Sequence, residues 1–207
     1  MKILCIYGSP RQGGNTDILM EEFIKGVENK GGEVIRVKLR EKKISPCQSC
    51  GYCKKEGICV QKDDMQNLYP LLSSCEGIAI ASPVFFLSLP AQVKSFIDRC
   101  EVFWVRKYIK GEKIREREGR GVFISTAGFK EKEVFFCAEK AVKAFFNVLG
   151  VTLWHSHFFG GIEEKGQIRN YPHFLKEVYR SGEELMFEID CANLSSSKKE
   201  GRNESTY

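Results

Sequence analysis

No stretch of this 207-residue chain approaches the roughly 20 consecutive apolar residues that a membrane-spanning helix needs. No secretory leader opens it, and nine cysteines, an odd number diluted over that length, do not suit a disulfide-built extracellular scaffold. The expected setting is cytoplasmic, with neither a membrane nor a secretory role. A strong charge imbalance is missing too. With 32 Lys and Arg against 27 Asp and Glu the net charge is only +5, and the densest basic stretch, Arg106 to Arg120, is interleaved with Glu. That mixture reads as a solvated loop rather than a nucleic-acid surface, with a docking patch for a small acidic electron carrier as the second reading. There is no internal repeat. Histidine is scarce, three in all.

Hydrophobic content of 43 % and charged content of 29 % are those of a globular protein, and the length suits one domain able to bury a core without staples. Residues 1–192 read as that domain. From Asn193 to Tyr207 the chain is rich in Ser, Lys, Glu and Asn, lacks apolar content, and is expected to be a disordered tail.

Four of the cysteines are concentrated in Cys47-Gln-Ser-Cys50-Gly-Tyr-Cys53-Lys-Lys-Glu-Gly-Ile-Cys59. Three thiols at Cys-x-x-Cys-x-x-Cys with a fourth shortly after can wrap a cubane iron–sulfur cluster, because a tightly turning backbone aims successive thiolates at different irons. Structural zinc is the competing reading. Zinc sites usually pair two separated knuckles or add histidines, and none of His155, His157 and His173 is nearby in sequence. Free or redox-active thiols are the third. Cys5, Cys75, Cys100, Cys137 and Cys191 each stand singly among apolar neighbours and read as small buried core residues. The histidines read as surface or structural residues.

Along the chain, Lys2 to Tyr7 is a compact apolar run without alternation, the signature of a strand covered on both faces of a parallel sheet. Leu19, Phe23 and Val27 then recur at helical spacing until Gly31-Gly32 stop them. Further strands are expected at Glu33 to Leu39, Gly77 to Ala81, Gly121 to Ser125 and Val151 to Phe159. Helices are expected at Asp64 to Ser74, from about Pro90 through Cys100, at Lys132 to Leu149, and at Pro172 to Ile189. This alternation predicts an α/β fold: a doubly wound, five-stranded parallel sheet in flavodoxin-like order, with a cysteine-rich insertion after strand two. Ligands of such sheets collect at the carboxyl ends of the strands.

Three loops leave strands there. Gly8-Ser9-Pro10-Arg11-Gln12-Gly13-Gly14-Asn15-Thr16 aims backbone N–H groups, a helix N-terminus and several polar side chains at one point, which makes an anion cradle fit for a phosphate. The dinucleotide fingerprint G-x-G-x-x-G is absent, and Gly14 and Asn15 stand where a Walker motif needs Lys and Ser or Thr. That excludes a nucleoside triphosphate or a Rossmann-bound NAD from this loop. Ser82 to Pro90 carries Val84, Phe85, Phe86 and Leu87 where a loop is ordinarily polar, which suits a flat ring or, failing that, packing against another loop or subunit. Ser125-Thr126-Ala127-Gly128 offers small residues that permit close backbone approach, a weak signal by itself.

Together these segments resemble the NADPH-dependent FMN reductase-like proteins, whose phosphate loop G-S-P-R-x-x-G-N-T is matched from Gly8 to Thr16 and whose S-P-V-Y-F/W segment is approximated by Ser82 to Phe86. The cysteine segment followed by Asp63-Asp64-Met65 resembles the iron–sulfur flavoprotein branch. The resemblance implies FMN, with its phosphate on Ser9, Arg11, Asn15, Thr16 and the backbone from Gln12 through Gly13 to Gly14. Its ring would lie between Pro83, Val84, Phe85, Phe86 and Thr126, Ala127, Gly128. A 4Fe-4S cluster would be held by Cys47, Cys50, Cys53 and Cys59. Phe85 departs from the Tyr of many relatives, so the hydrogen bond of that hydroxyl is missing here. The resemblance further implies a ferredoxin-like electron donor, acceptors such as oxygen, peroxide, quinone or further carriers, and a homodimer or dimer-built tetramer. Flavin chemistry needs no acid/base catalytic residue from the protein. Two other functions remain compatible with the residues: a cluster-free NAD(P)H-dependent FMN or quinone reductase, and a non-catalytic nucleotide-binding or partner-docking module.

Overall fold

The computed structural model describes residues 1–200, with side chains through Ala192. Five parallel strands, β1 (Lys2–Tyr7), β2 (Glu33–Lys38), β3 (Gly77–Pro83), β4 (Gly119–Ala127) and β5 (Val151–Gly160), form one sheet in the order β2-β1-β3-β4-β5. This is the flavodoxin-like order, in which strand sequence reverses between β1 and β3. The helices are α1 (Asn15–Asn29), α2 (Tyr52–Glu56), α3 (Met65–Ser74), α4 (Ala91–Asp98), α5 (Glu101–Trp104), α6 (Phe136–Val148) and α7 (Pro172–Glu200). A π turn, Val105–Ile109, continues α5.

Both faces of the sheet are covered because the middle of each central strand is apolar on both sides, Ile3 to Ile6 in β1, Ile78 to Ala81 in β3 and Val122 to Ile124 in β4, so the period-two alternation feeds two cores at once. From β1, Ile3, Cys5 and Tyr7 point toward Phe23, Val27, Leu185 and Met186 of α1 and α7, while Leu4 and Ile6 point toward Leu72, Val93, Phe96 and Phe145 of α3, α4 and α6. Where α1 crosses α7 the two backbones touch through glycine. A Cβ on Gly26 would stand 2.0 Å from the Tyr179 carbonyl oxygen, and one on Gly182 would stand 2.2 Å from that of Phe23.

Three expectations need correction. The stretch Arg106 to Arg120 is more than a solvated loop: the Arg115 guanidinium donates to the carbonyls of Leu149 (2.7 Å), Cys75 (2.8 Å) and Leu72 (2.5 Å), tying the ends of α6 and α3 to the sheet edge. Its pKa falls to about 10 because burial disfavours the cation. Cys137 and Cys191 are exposed, since they fall on the outer faces of α6 and α7, whereas Cys5, Cys75 and Cys100 are buried as expected. Finally, α7 continues past Ile189 to Glu200, because no Gly or Pro stands between Ile189 and Gly201. The expected tail from Asn193 thus begins inside this helix, and its residues 201–207 lie outside the described residues. Among the described residues no helix is long and apolar enough to cross a membrane.

Candidate functional site

At the carboxyl edge of the sheet the loops after β1, β3 and β4 surround one cavity of about 850 Å³, within the range that accommodates a cofactor-sized ligand. From the first loop Ser9, Arg11, Gly14, Asn15 and Thr16 line it. From the second come Pro83, Val84, Phe85 and Phe86, and from the third Thr126, Ala127 and Gly128. Gln12 and Gly13 are not in its wall.

The phosphate-type loop is fastened from behind. Ser9 Oγ accepts the Arg11 N–H at 3.1 Å, and Asp17 accepts the Gly13 N–H at 2.9 Å while pairing with Arg40 at 3.1 Å. Gly13 sits at φ 65°, where a side chain would be strained. No side chain caps α1 at Gly14, so the first N–H groups of the helix face the cavity without intrahelical partners. Asn15, in the cavity wall, also fastens the chain after β5. Its amide donates to the Glu164 carbonyl at 2.9 Å and its oxygen accepts the Ile168 N–H at 3.2 Å, which binds the chain after β5 against the loop.

That last segment is what sequence reasoning missed. Ile162 and Glu163 complete the cavity wall, and the Glu163 carboxylate fills the space that a Cβ on Gly128 would occupy. The Lys165 Cε methylene lies 3.8 Å from the Cβ position at Gly13, behind the loop. No motif marks these residues, and only the crossover after β5 delivers them.

The apolar wall carries strain. Phe86 and Leu87 adopt φ 47° and 60°, and the Phe85 and Ser88 N–H groups donate to each other's carbonyls at 2.8 and 2.9 Å, closing a tight turn with left-handed central residues. Left-handed backbone costs about 1–2 kcal/mol for a residue with a side chain. Phe86 is fully exposed, and Phe129 beside it is largely so. The Val84 N–H donates to Thr126, so the amides of Val84 and Phe85 are not free for a ligand edge.

The four clustered cysteines line a second, smaller pocket of about 80 Å³ beside α2 and α5. Ser49 (φ 52°), Gly51 (φ 73°) and Gly57 (φ 72°) supply the left-handed turns that fold Cys47 to Cys59 back on itself. Among the described residues no three His, Cys, Asp or Glu converge as a single bound metal ion requires. The base of the segment is tightly tied. Asp64 accepts the Lys43 N–H at 2.7 Å, and Asp63 accepts those of Ser45 and Met65 at 3.0 and 3.1 Å. Arg99, fully buried, pairs with Asp63 at 2.6 Å. Burial pushes the Asp63 carboxyl up, but the Arg99 and backbone donors outweigh it and hold it below the ordinary range. Burial, with Glu101 nearby, pushes the Cys53 thiol up.

His155 and His173 are exposed. His157 is buried in β5 with Nδ1 2.7 Å from Glu177, and burial holds its pKa below the ordinary value.

The family model for NADPH-dependent FMN reductase matches residues 1–161. The chain belongs to that family. Within the NADPH-dependent FMN reductase family it stands in the iron–sulfur flavoprotein branch. An iron–sulfur flavoprotein of Archaeoglobus fulgidus is 37 % identical over 144 residues, covering 70 % of this chain and 63 % of that protein. One of Methanocaldococcus jannaschii is 32 % identical over 127 residues, covering 61 % and 63 %. The chain thus spans just under two thirds of the length of these relatives. Among solved structures, an NAD(P)H:quinone oxidoreductase from Methanothermobacter marburgensis superposes with a TM-score of 0.71 at 17 % identity, covering 89 % of this chain and 96 % of that one. An archaeal flavodoxin superposes at 0.57 and 16 %, covering 92 % and 99 %. These likenesses are of fold.

Proposed function

We propose that this chain is a flavin-dependent oxidoreductase with FMN in the larger cavity and a 4Fe-4S cluster on Cys47, Cys50, Cys53 and Cys59. It would pass electrons between a one-electron carrier such as ferredoxin and a terminal acceptor such as oxygen, peroxide or a quinone. The observation that carries this reading is the grouping of twelve of the fourteen expected FMN residues around one cavity. When bound, FMN exchanges two electrons or one and an iron–sulfur cluster exchanges one, so the pair converts between carriers of different electron number.

The residues fit both groups. The uncapped start of α1, the Thr16 side chain and the Arg11 cation would hold a phosphate dianion. Pro83 to Phe86 and Thr126 to Gly128 would form the two walls of a slot for an aromatic ring, shedding water from its faces. The four thiols border a single pocket without converging on one point, the arrangement suited to a multi-iron group whose corners each take one sulfur. A buried, unpartnered N–H on Arg99 in the same wall is a donor suited to sulfur. Residues 1–192 would act as one unit containing both sites. The exposed Phe86, Leu87 and Phe129 at the cavity mouth support a homodimer or dimer-built tetramer that covers them. Nine free cysteines suit the cytoplasm.

The two sites are expected to fail independently. Cys50→Ser should lose iron and labile sulfide while keeping FMN, and Thr16→Ala should weaken FMN binding while sparing iron. Joint loss of both groups in either variant would contradict the two-site account. Efficient reduction of FMN by NAD(P)H in protein free of iron would favour a cluster-free reductase instead.

A further inference from the structure

The most unusual buried group outside the flavin cavity is the Arg99 guanidinium. Its side chain is wholly inaccessible, it cannot shed its charge, and it carries five N–H donors. Four are spent. Nη1 donates to Asp63 (2.6 Å) and Ser45 (2.9 Å), with Gln61 Oε1 at 3.3 Å, and Nη2 donates to Asp63 (3.2 Å) and the Gln61 carbonyl (3.4 Å). The fifth, on Nε, is buried without an acceptor among the described residues.

Leaving a buried donor of a charged group unpaired costs more than a net hydrogen bond returns. A donor so placed calls for an acceptor that the protein itself does not supply. Arg99 lines the small pocket together with the four cysteines, and the Tyr69 hydroxyl donates to the Arg99 carbonyl at 3.0 Å. The Asp63 carboxylate fixes the orientation of the fork, and the same carboxylate ties down Ser45 and the first turn of α3.

Resting on the cluster assignment proposed above, we infer that Arg99 is a tuning residue whose Nε–H donates to sulfur of the cluster, either the Cys59 thiolate or an inorganic sulfide beside it. A cation and a hydrogen bond directed at cluster sulfur favour the form that holds the extra electron, so Arg99 raises the reduction potential. Asp63 positions Arg99, which gives a physical role to the first acid of Asp63-Asp64-Met65.

The test uses the intact holoprotein grown on arginine labelled with ¹⁵N at the side chain. After anaerobic reduction, pulsed electron–nuclear spectroscopy of the cluster should show an ¹⁵N coupling that is absent from unlabelled protein. The coupling should vanish in Arg99→Lys, whose cluster midpoint should move to more negative potential while that of FMN stays in place. A cluster-containing wild-type protein with no arginine coupling, or Arg99→Lys with full iron and an unchanged midpoint, would overturn the inference; either result also covers a water as the real partner of Nε. Should Arg99→Lys fail to fold, the wild-type coupling alone decides. Absence of labile sulfide from the wild-type protein would instead remove the cluster assignment, and this inference with it, so the two failures are told apart by chemical analysis.

Discussion

Single residues in this chain hold more of the structure than their type suggests. Arg115 sits in a run of alternating charges that looks solvated, yet it donates to three carbonyls at the ends of α3 and α6. Each buried acceptor left without a donor costs on the order of 1 kcal/mol, so Arg115→Met should lose about 3 kcal/mol of stability in urea unfolding. A loss below about 1 kcal/mol would mean that water replaces the guanidinium there. His157 makes the complementary case. Burial depresses its pKa despite the pull of Glu177, so below about pH 6.5 the unfolded chain takes up a proton that the folded chain refuses. Stability should therefore fall as pH drops from about 6.5 toward the lower folded pKa, by at most about 1.4 kcal/mol per pH unit. Urea midpoints measured at pH 7 and 5.5 should show this slope in the parent and a smaller one in His157→Leu; equal slopes would place the titration elsewhere. Neither role was legible in the sequence, because both depend on what a distant segment presents: the ends of two helices for Arg115, and Glu177 of α7 for His157.

At the level of elements, the sequence reports local periodicity well and crossings poorly. The apolar runs of β1 and β3 and the spacing of Leu19, Phe23 and Val27 locate strands and helix because those patterns follow from burial on known faces. The contact of α1 with α7 is invisible in that way, since Gly26 and Gly182 lie in stretches 156 positions apart and read only as helix-weakening residues. Ala improves an exposed helix over Gly by about 1 kcal/mol. At Gly182 the added carbon would collide with the Phe23 carbonyl, and overpacking of about 1–3 kcal/mol or more should win. Gly182→Ala should therefore lower the urea midpoint, and a rise would show that the helices part without cost. The same contrast holds at the site. The loops after β1, β3 and β4 announce themselves by composition, whereas Ile162 and Glu163 reach the cavity on the chain after β5, which Asn15 pins.

For the whole molecule, the sheet brings one large cavity to its carboxyl edge, while the connection between β2 and α3 carries a thiol-lined pocket with its own scaffold of Asp63, Asp64 and the buried Arg99. Strand order and loop chemistry locate the first without ambiguity. Cysteine spacing marks the second, but its supporting acids and the arginine, at the far end of α4, come together only in the fold. The account stands on these being two cofactor sites in one chain. Anaerobic purification followed by iron, acid-labile sulfide and flavin analysis tests it most directly. The account predicts about four iron and four sulfide with about one FMN per chain, whereas about one FMN with no labile sulfide would contradict it.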